Sequence, residues 1–120
     1  MSEKLASVGY LGHFVGKGHL GYETTDHLPI HRGFKSHVGY LGGGESYFWG
    51  CGGGQCGSDP ALSHHDMWHD YHAGADIVPE IYYSANFYTT QAVGIITDHP
   101  KTSPLFLYLP YQNGAGFNIL

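Results

Sequence analysis

The sequence is poor in positive charge, in cysteine and in long apolar runs, and each shortage excludes something. Five Lys and Arg stand against ten Asp and Glu, for a formal net charge of -5. Nucleic acids and anionic membranes are met by clustered basic residues, so neither is expected as a partner. No apolar run approaches the roughly 20 residues that cross a bilayer as a helix. Met1-Ser2-Glu3-Lys4-Leu5 is polar and lacks the apolar core of a signal peptide, which taken literally leaves the product in the cytosol. Cys51 and Cys56 are the two cysteines, separated by Gly52-Gly53-Gly54-Gln55. They can close a small disulfide loop in an oxidising compartment or remain thiols elsewhere, so they do not decide the compartment.

Glycine and tyrosine are abundant instead. Nineteen Gly and ten Tyr in 120 residues predict long loops around a thin core. The length suits one domain or part of a larger one. Ser2 is the expected N-cap of a short helix over Glu3 to Val8, ended by Gly9, and Tyr10 to Val15 reads as a strand. Around Leu28-Pro29-Ile30-His31-Arg32-Gly33-Phe34 and Val38-Gly39-Tyr40-Leu41, Pro and Gly mark turns with aromatics packed beneath them. From Gly42 to Ser63 the chain reads as loop. Its runs Gly42-Gly43-Gly44 and Gly52-Gly53-Gly54 lack the strand-then-helix setting and Lys-Ser/Thr ending of a phosphate-binding loop. Ser84 is the expected cap of a helix over Ala85 to Asp98, with Phe87, Tyr88, Ala92, Val93, Ile95 and Ile96 at helical spacing. Leu105-Phe106-Leu107-Tyr108-Leu109 is a continuous apolar run, the pattern of a strand buried on both faces. The order predicts an α/β fold, a mainly parallel sheet with covering helices and long glycine-rich loops. Two such strands do not complete a sheet, so residues 1–120 are expected either to be the middle of a larger α/β domain, whose missing remainder would be a partner, or to need a partner to fold.

Two stretches carry candidate chemistry. Gly16-Lys17-Gly18-His19 comes directly after the first strand, where open α/β sheets bind ligands. Its glycines allow close backbone approach, Lys17 supplies a charge and His19 a hydrogen bond or proton, a combination suited to an anion. The second stretch is His64-His65-Asp66-Met67-Trp68-His69-Asp70-Tyr71-His72. On a helix, His65, His69 and His72 share a face and could hold a transition metal, although Gly74 and Pro79 leave that helix little room.

The segment Gly9-Tyr10-Leu11-Gly12-His13-Phe14-Val15-Gly16-Lys17-Gly18-His19-Leu20-Gly21 resembles the second signature of the sulfatase family, Gly-Tyr-x-Thr-x-x-x-Gly-Lys-Trp-His-Leu-Gly. Leu28-Pro29 with Arg32-Gly33-Phe34, then Gly39-Tyr40-Leu41 with Glu45 and Tyr47, resemble the adjoining stretch of arylsulfatase B-like members. Tyr83-Ser84 with Phe87 and Thr89, Ile96-Thr97-Asp98-His99-Pro100 and Pro104-Leu105-Phe106-Leu107-Tyr108-Leu109 resemble the next helix and strand. The resemblance implies part of an alkaline-phosphatase-like α/β sandwich and hydrolysis of a sulfate ester, an aryl sulfate or a sulfated sugar. It further implies a formylglycine nucleophile made from Cys-x-Pro-Ser-x-Arg and a calcium ion that clamps the sulfate. Lys17 and His19 would be the catalytic and substrate-binding residues, contacting the sulfate and the formylglycine hydroxyls. Complete family members are lysosomal or secreted, which leaves the localisation open.

Departures from the pattern limit what this chain is expected to do alone. Cys51 and Cys56 do not stand in the nucleophile motif, and no metal ligand is assigned here; both belong to flanking segments in the family. Gln112 matches a Gln-x-x-His-x-Pro motif, but Ala115 occupies its His position and Phe117 its Pro position. Gly18 replaces the Trp and Gly12 the Thr, with loss of packing around the loop. Three functions are compatible with these residues: a sulfatase segment inactive by itself, a non-catalytic anion (sulfate)-binding or interaction module, and a His-rich metal-binding protein.

Overall fold

The computed structural model describes residues 1–48, 66–74, 77 and 83–114. At its centre β1, Leu11–Lys17, runs between β2, Ser36–Tyr40, and β5, Leu105–Tyr108, parallel to both. β3, Met67–His69, pairs antiparallel with β2, and β4, His72–Ala73, closes a hairpin with β3. The result is one five-stranded mixed sheet in the order β4-β3-β2-β1-β5. Its middle is parallel as expected. The antiparallel hairpin departs from the expectation, since the histidine spacing over 64–72 points to a helix.

Alternation along β1 decides what lies on each face. Val15 shares one face with Tyr40, Met67 and Tyr88, all fully buried, with Phe87, Ile95 and Leu107 packed at the margin. α2, Ser84–Asp98, covers this face. On the other face Phe14 meets Phe34, His37 and Tyr108 with ring centroids 5.4, 4.9 and 4.9 Å away. The short 3-10 turns Thr25–His27 and Pro29–Arg32 lead into Phe34 on that side. Gly16 pairs with Gly39 in the β1–β2 register, and a Cβ on Gly39 would collide with the Gly16 backbone.

Several sequence expectations shift by a residue or more. α1 is Ser2–Ala6, and Ser2 lies inside it, its hydroxyl donating to the Arg32 carbonyl. Ser84 likewise is the first helical residue of α2, buried, with Tyr83 as the cap. A hydroxyl caps only from the flanking extended residue, and here tertiary packing draws both serines into the first turn. Val38–Tyr40, expected among turns, belongs to β2, because pairing on two sides overrides the glycine. β5 is not buried on both faces: Leu105, Phe106 and Leu107 are half-buried and Tyr108 is exposed, on an edge strand among the described residues. On α2, Tyr88 and Ala92 are buried while Val93 and Ile96 of the same apolar pattern face outward. The cysteines, and all of 42–63 beyond Phe48, lie outside the described residues.

Candidate functional site

Lys17 is the last residue of β1 rather than a loop residue, paired with Tyr40 of β2. The pairing continues past the strand as backbone hydrogen bonds. Lys17 N–H donates to the Pro110 carbonyl at 3.0 Å, Gly18 N–H to Tyr40 at 2.7 Å and His19 N–H to Leu41 at 3.0 Å. The segment is thus tied to the ends of both neighbouring strands. His19 is exposed and adopts φ 54°, a left-handed conformation that turns the chain out of the sheet. Its ring lies over Gly43, where a Cβ would stand 2.8 Å from Nε2. Lys17 is half-buried and forms no ion pair among the described residues.

Gly18 has a tertiary reason. A Cβ there would lie 2.8 Å from the Tyr40 carbonyl oxygen and 3.1 Å from Leu41 Cα, so a larger residue requires the backbone to move. The packing expected to vanish with an indole is replaced by close backbone contact. Beside it, a cavity of about 30 Å³ lies among Phe14, Gly18, Leu20, Arg32, Phe34 and Leu41, room for about one water molecule.

Below this edge a buried polar network joins three segments. Glu45 is 3% exposed, and its Oε2 accepts from Tyr88 Oη at 2.9 Å. The Gln112 amide donates to the Glu45 carbonyl. Ser84 N–H donates to the Tyr47 carbonyl at 2.8 Å, and Asn113 Nδ2 to Tyr83 Oη at 2.8 Å. Through these contacts the loop after β2, the start of α2 and the turn after β5 gather beside Lys17. Tyr40 is fully buried under them, and burial, reinforced by the Glu45 carboxylate, pushes its phenol well above the usual range. It stays protonated, a dipole rather than a charge. The long separations explain why spacing does not reveal the network: Glu45 and Tyr88 are 43 residues apart. In the sequence, Glu45 and Gln112 stand out only as matches to a family pattern.

The histidine stretch comes out differently from its helical reading. His69 and His72 face each other across the β3–β4 hairpin, and Asp70 at its turn has φ 52°. Asp70 Oδ1 accepts the His37 N–H at 2.8 Å, anchoring the turn to β2. His65 lies outside the described residues, and among those described no group of three His, Cys, Asp or Glu could hold a metal. His69 and His72 therefore do not share a helix face. Ala115 and Phe117 also fall outside the described residues.

No protein-family model matches the chain. Individual proteins do. Arylsulfatase J of Mus musculus is 38% identical over 115 residues, 93% of this chain and 18% of that protein. An arylsulfatase of Klebsiella aerogenes is 29% identical over 114 residues, 92% of this chain and 23% of that protein. The crystal structure of Ps i-CgsB in complex with k-i-k-neocarrahexaose superposes with a TM-score of 0.67 at 30% identity, covering 92% of this chain and 25% of that one.

These likenesses support the sulfatase family.

The chain spans about a fifth of the length of the arylsulfatases it matches. Its mixed five-stranded α/β sheet agrees with the architecture of the structural neighbour. The densest block of sulfatase resemblance, Gly9 to Gly21, maps onto β1 and the turn after it.

Proposed function

We propose that this chain is the segment of an arylsulfatase B-like sulfatase that binds the sulfate group, within an alkaline-phosphatase-like sandwich completed by flanking segments. The observation that carries the reading is the similarity to arylsulfatase J over 93% of the chain. In support, Lys17 and His19 emerge together at the carboxyl end of the parallel strands, where ligands meet open α/β sheets. Lys17 contributes a cation with no carboxylate to neutralise it among the described residues, and His19 an accessible imidazole. A sulfate ester gathers negative charge on its oxygens and on the departing oxygen as the S–O bond breaks. Groups held by backbone bonds to two strands stabilise that charge without reorganising.

The substrate class is a sulfate ester, an aryl sulfate or a sulfated sugar; the complex of Ps i-CgsB with k-i-k-neocarrahexaose favours weighing the sugar. Among the described residues no cluster of His, Cys, Asp or Glu could hold the family's calcium ion. No Cys-x-Pro-Ser-x-Arg occurs in the 120 residues, so the formylglycine would likewise come from outside them. Binding is what this chain's residues contribute.

Two measurements test the reading. The 120-residue chain should shift the His19 ring resonances on sulfate titration, and Lys17→Ala should weaken that binding about tenfold, the scale of one charge-assisted hydrogen bond. It should not turn over a chromogenic aryl sulfate. Turnover by this chain, or sulfate binding indifferent to Lys17, would overturn the assignment.

A further inference from the structure

One cavity among the described residues lies away from the Lys17 edge. It is a cleft of about 510 Å³ at the opposite end of the sheet, between the start of β1 and β2 and the last turns of α2. Alternation along β1 explains its position. Leu11, His13, Val15 and Lys17 share the face under α2; Val15 is sealed by Tyr88, whereas His13 lies under the far end of the helix. There α2 presents Gly94, where a Cβ would meet nothing within 4 Å, and the space stays open.

The polar wall of the cleft is built on the strand side. His13 Nδ1 is bonded to Ser36 Oγ at 2.7 Å, which orients the ring. Lys35 is exposed and forms no ion pair among them. Across the cleft His99 is held through Nε2 at 2.7 Å from the Ser103 carbonyl. After burial, His99 and Lys35 are the largest influences holding the His13 ring below its ordinary value, opposed by Asp70. Lys35 therefore supplies positive charge near His13. Asp98 and the carbonyl end of α2 lie on the other wall and oppose an anion there. Leu11 and Ile95 supply apolar floor.

We propose that this cleft is a second binding site, for a small organic molecule carrying an oxyanion head, with the head between His13 and Lys35 and the apolar body against Leu11 and Ile95. The volume lies in the range of small-molecule pockets, roughly 300–1,000 Å³, and exceeds what a bare oxyanion fills. This inference does not rest on the sulfate-binding reading, since the two sites lie at opposite ends of β1.

The test uses the 120-residue chain with 13C-labelled histidine and three probes: phenyl phosphate, inorganic phosphate and phenol. The His13 signal is assigned by its loss in His13→Gln. Phenyl phosphate should move it saturably and bind several-fold tighter than inorganic phosphate, while phenol leaves it in place. Lys35→Ala, an exposed substitution, should weaken phenyl phosphate about tenfold, the scale of a charge-assisted contact. Asp98→Asn should tighten it. Gly94→Leu fills the cleft, improves helix propensity and should abolish the response. Lys17→Ala should leave it unchanged, which separates failure here from failure at the other edge. A His13 response that never saturates, that survives Lys35→Ala and Gly94→Leu, or that phenol reproduces overturns the proposal.

Discussion

At the scale of single residues, the informative side chains are those the fold has deprived of water. His37 is fully buried on β2 against Phe14, with neither ring nitrogen bonded among the described residues. Burial lowers its pKa from 6.5 to about 4, with Asp70 pulling the other way. Between those values the unfolded chain binds a proton that the folded chain refuses, so stability falls as pH drops from 6.5 to about 4 and this contribution levels off below. The shift corresponds to about 3 kcal/mol. Urea melts at a series of pH values should show that loss, and His37→Leu should remove most of it; parallel profiles for the two proteins would refute the assignment. His13 is lowered too and accounts for part of any residual slope. Gly39 allows a second test. Gly39→Ala drives a Cβ into the Gly16 backbone and should destabilise by about 1–3 kcal/mol, the usual range for overpacking, read as a lower urea midpoint. Neither role is legible in the sequence. His37 is one of ten histidines and Gly39 one of nineteen glycines, and only the β1–β2 register distinguishes them.

At the scale of elements, α2 does most to connect the two ends of the molecule. Its first turns bring Ser84 and Tyr88 into the network beside Lys17, and its last residues wall the cleft with Asp98 and His99. Its existence is legible from helical spacing and from Pro100 beyond its end. Its buried side is not, because Phe87, Tyr88, Ala92, Val93, Ile95 and Ile96 spread around more than one face. The sheet chooses among them, burying Tyr88 and Ala92. Tyr88→Phe removes the hydroxyl from buried Glu45 Oε2 and should lower stability by about 1–3 kcal/mol. Val93→Ser, on a position 55% exposed, should change it by no more than about 0.5 kcal/mol. Equal effects of the two on the urea midpoint would contradict this division of the helix. The β3–β4 hairpin shows the opposite failure of pattern. Histidines at i, i+4 and i+7 fit a helix face, yet Met67–His69 pairs with β2 and turns back at Asp70. Pairing with a strand and a carboxylate anchor outweigh a polar periodicity that offers no core contact.

At the scale of the whole molecule, the two ends of the sheet differ in character. The carboxyl edge gathers Lys17, His19 and the Glu45–Tyr88–Gln112 network, while the amino edge holds the open cleft at His13 and Lys35. On the proposed sulfate-binding role, any longer chain containing this segment and hydrolysing aryl sulfates should lose about a hundredfold or more in kcat/KM with Lys17→Ala, the scale of removing one preorganised charge-stabilising group. Lys35→Ala in the same protein should leave that ratio within a few-fold, since it lies at the far end. A steady-state comparison of the two variants decides between separate and shared sites.

By itself the sequence determined the α/β pattern, the approximate spans of β1, α2 and β5, and the motif that carries Lys17 and His19, because these depend on local periodicity and on one contiguous stretch. Tertiary structure alone decided the hairpin, the burial of His37 and Tyr40, the Glu45–Tyr88 bond and the cleft at His13. Each of those depends on residues far apart in the chain meeting across a sheet, and a strand's partner, unlike its period, is not written in its own residues.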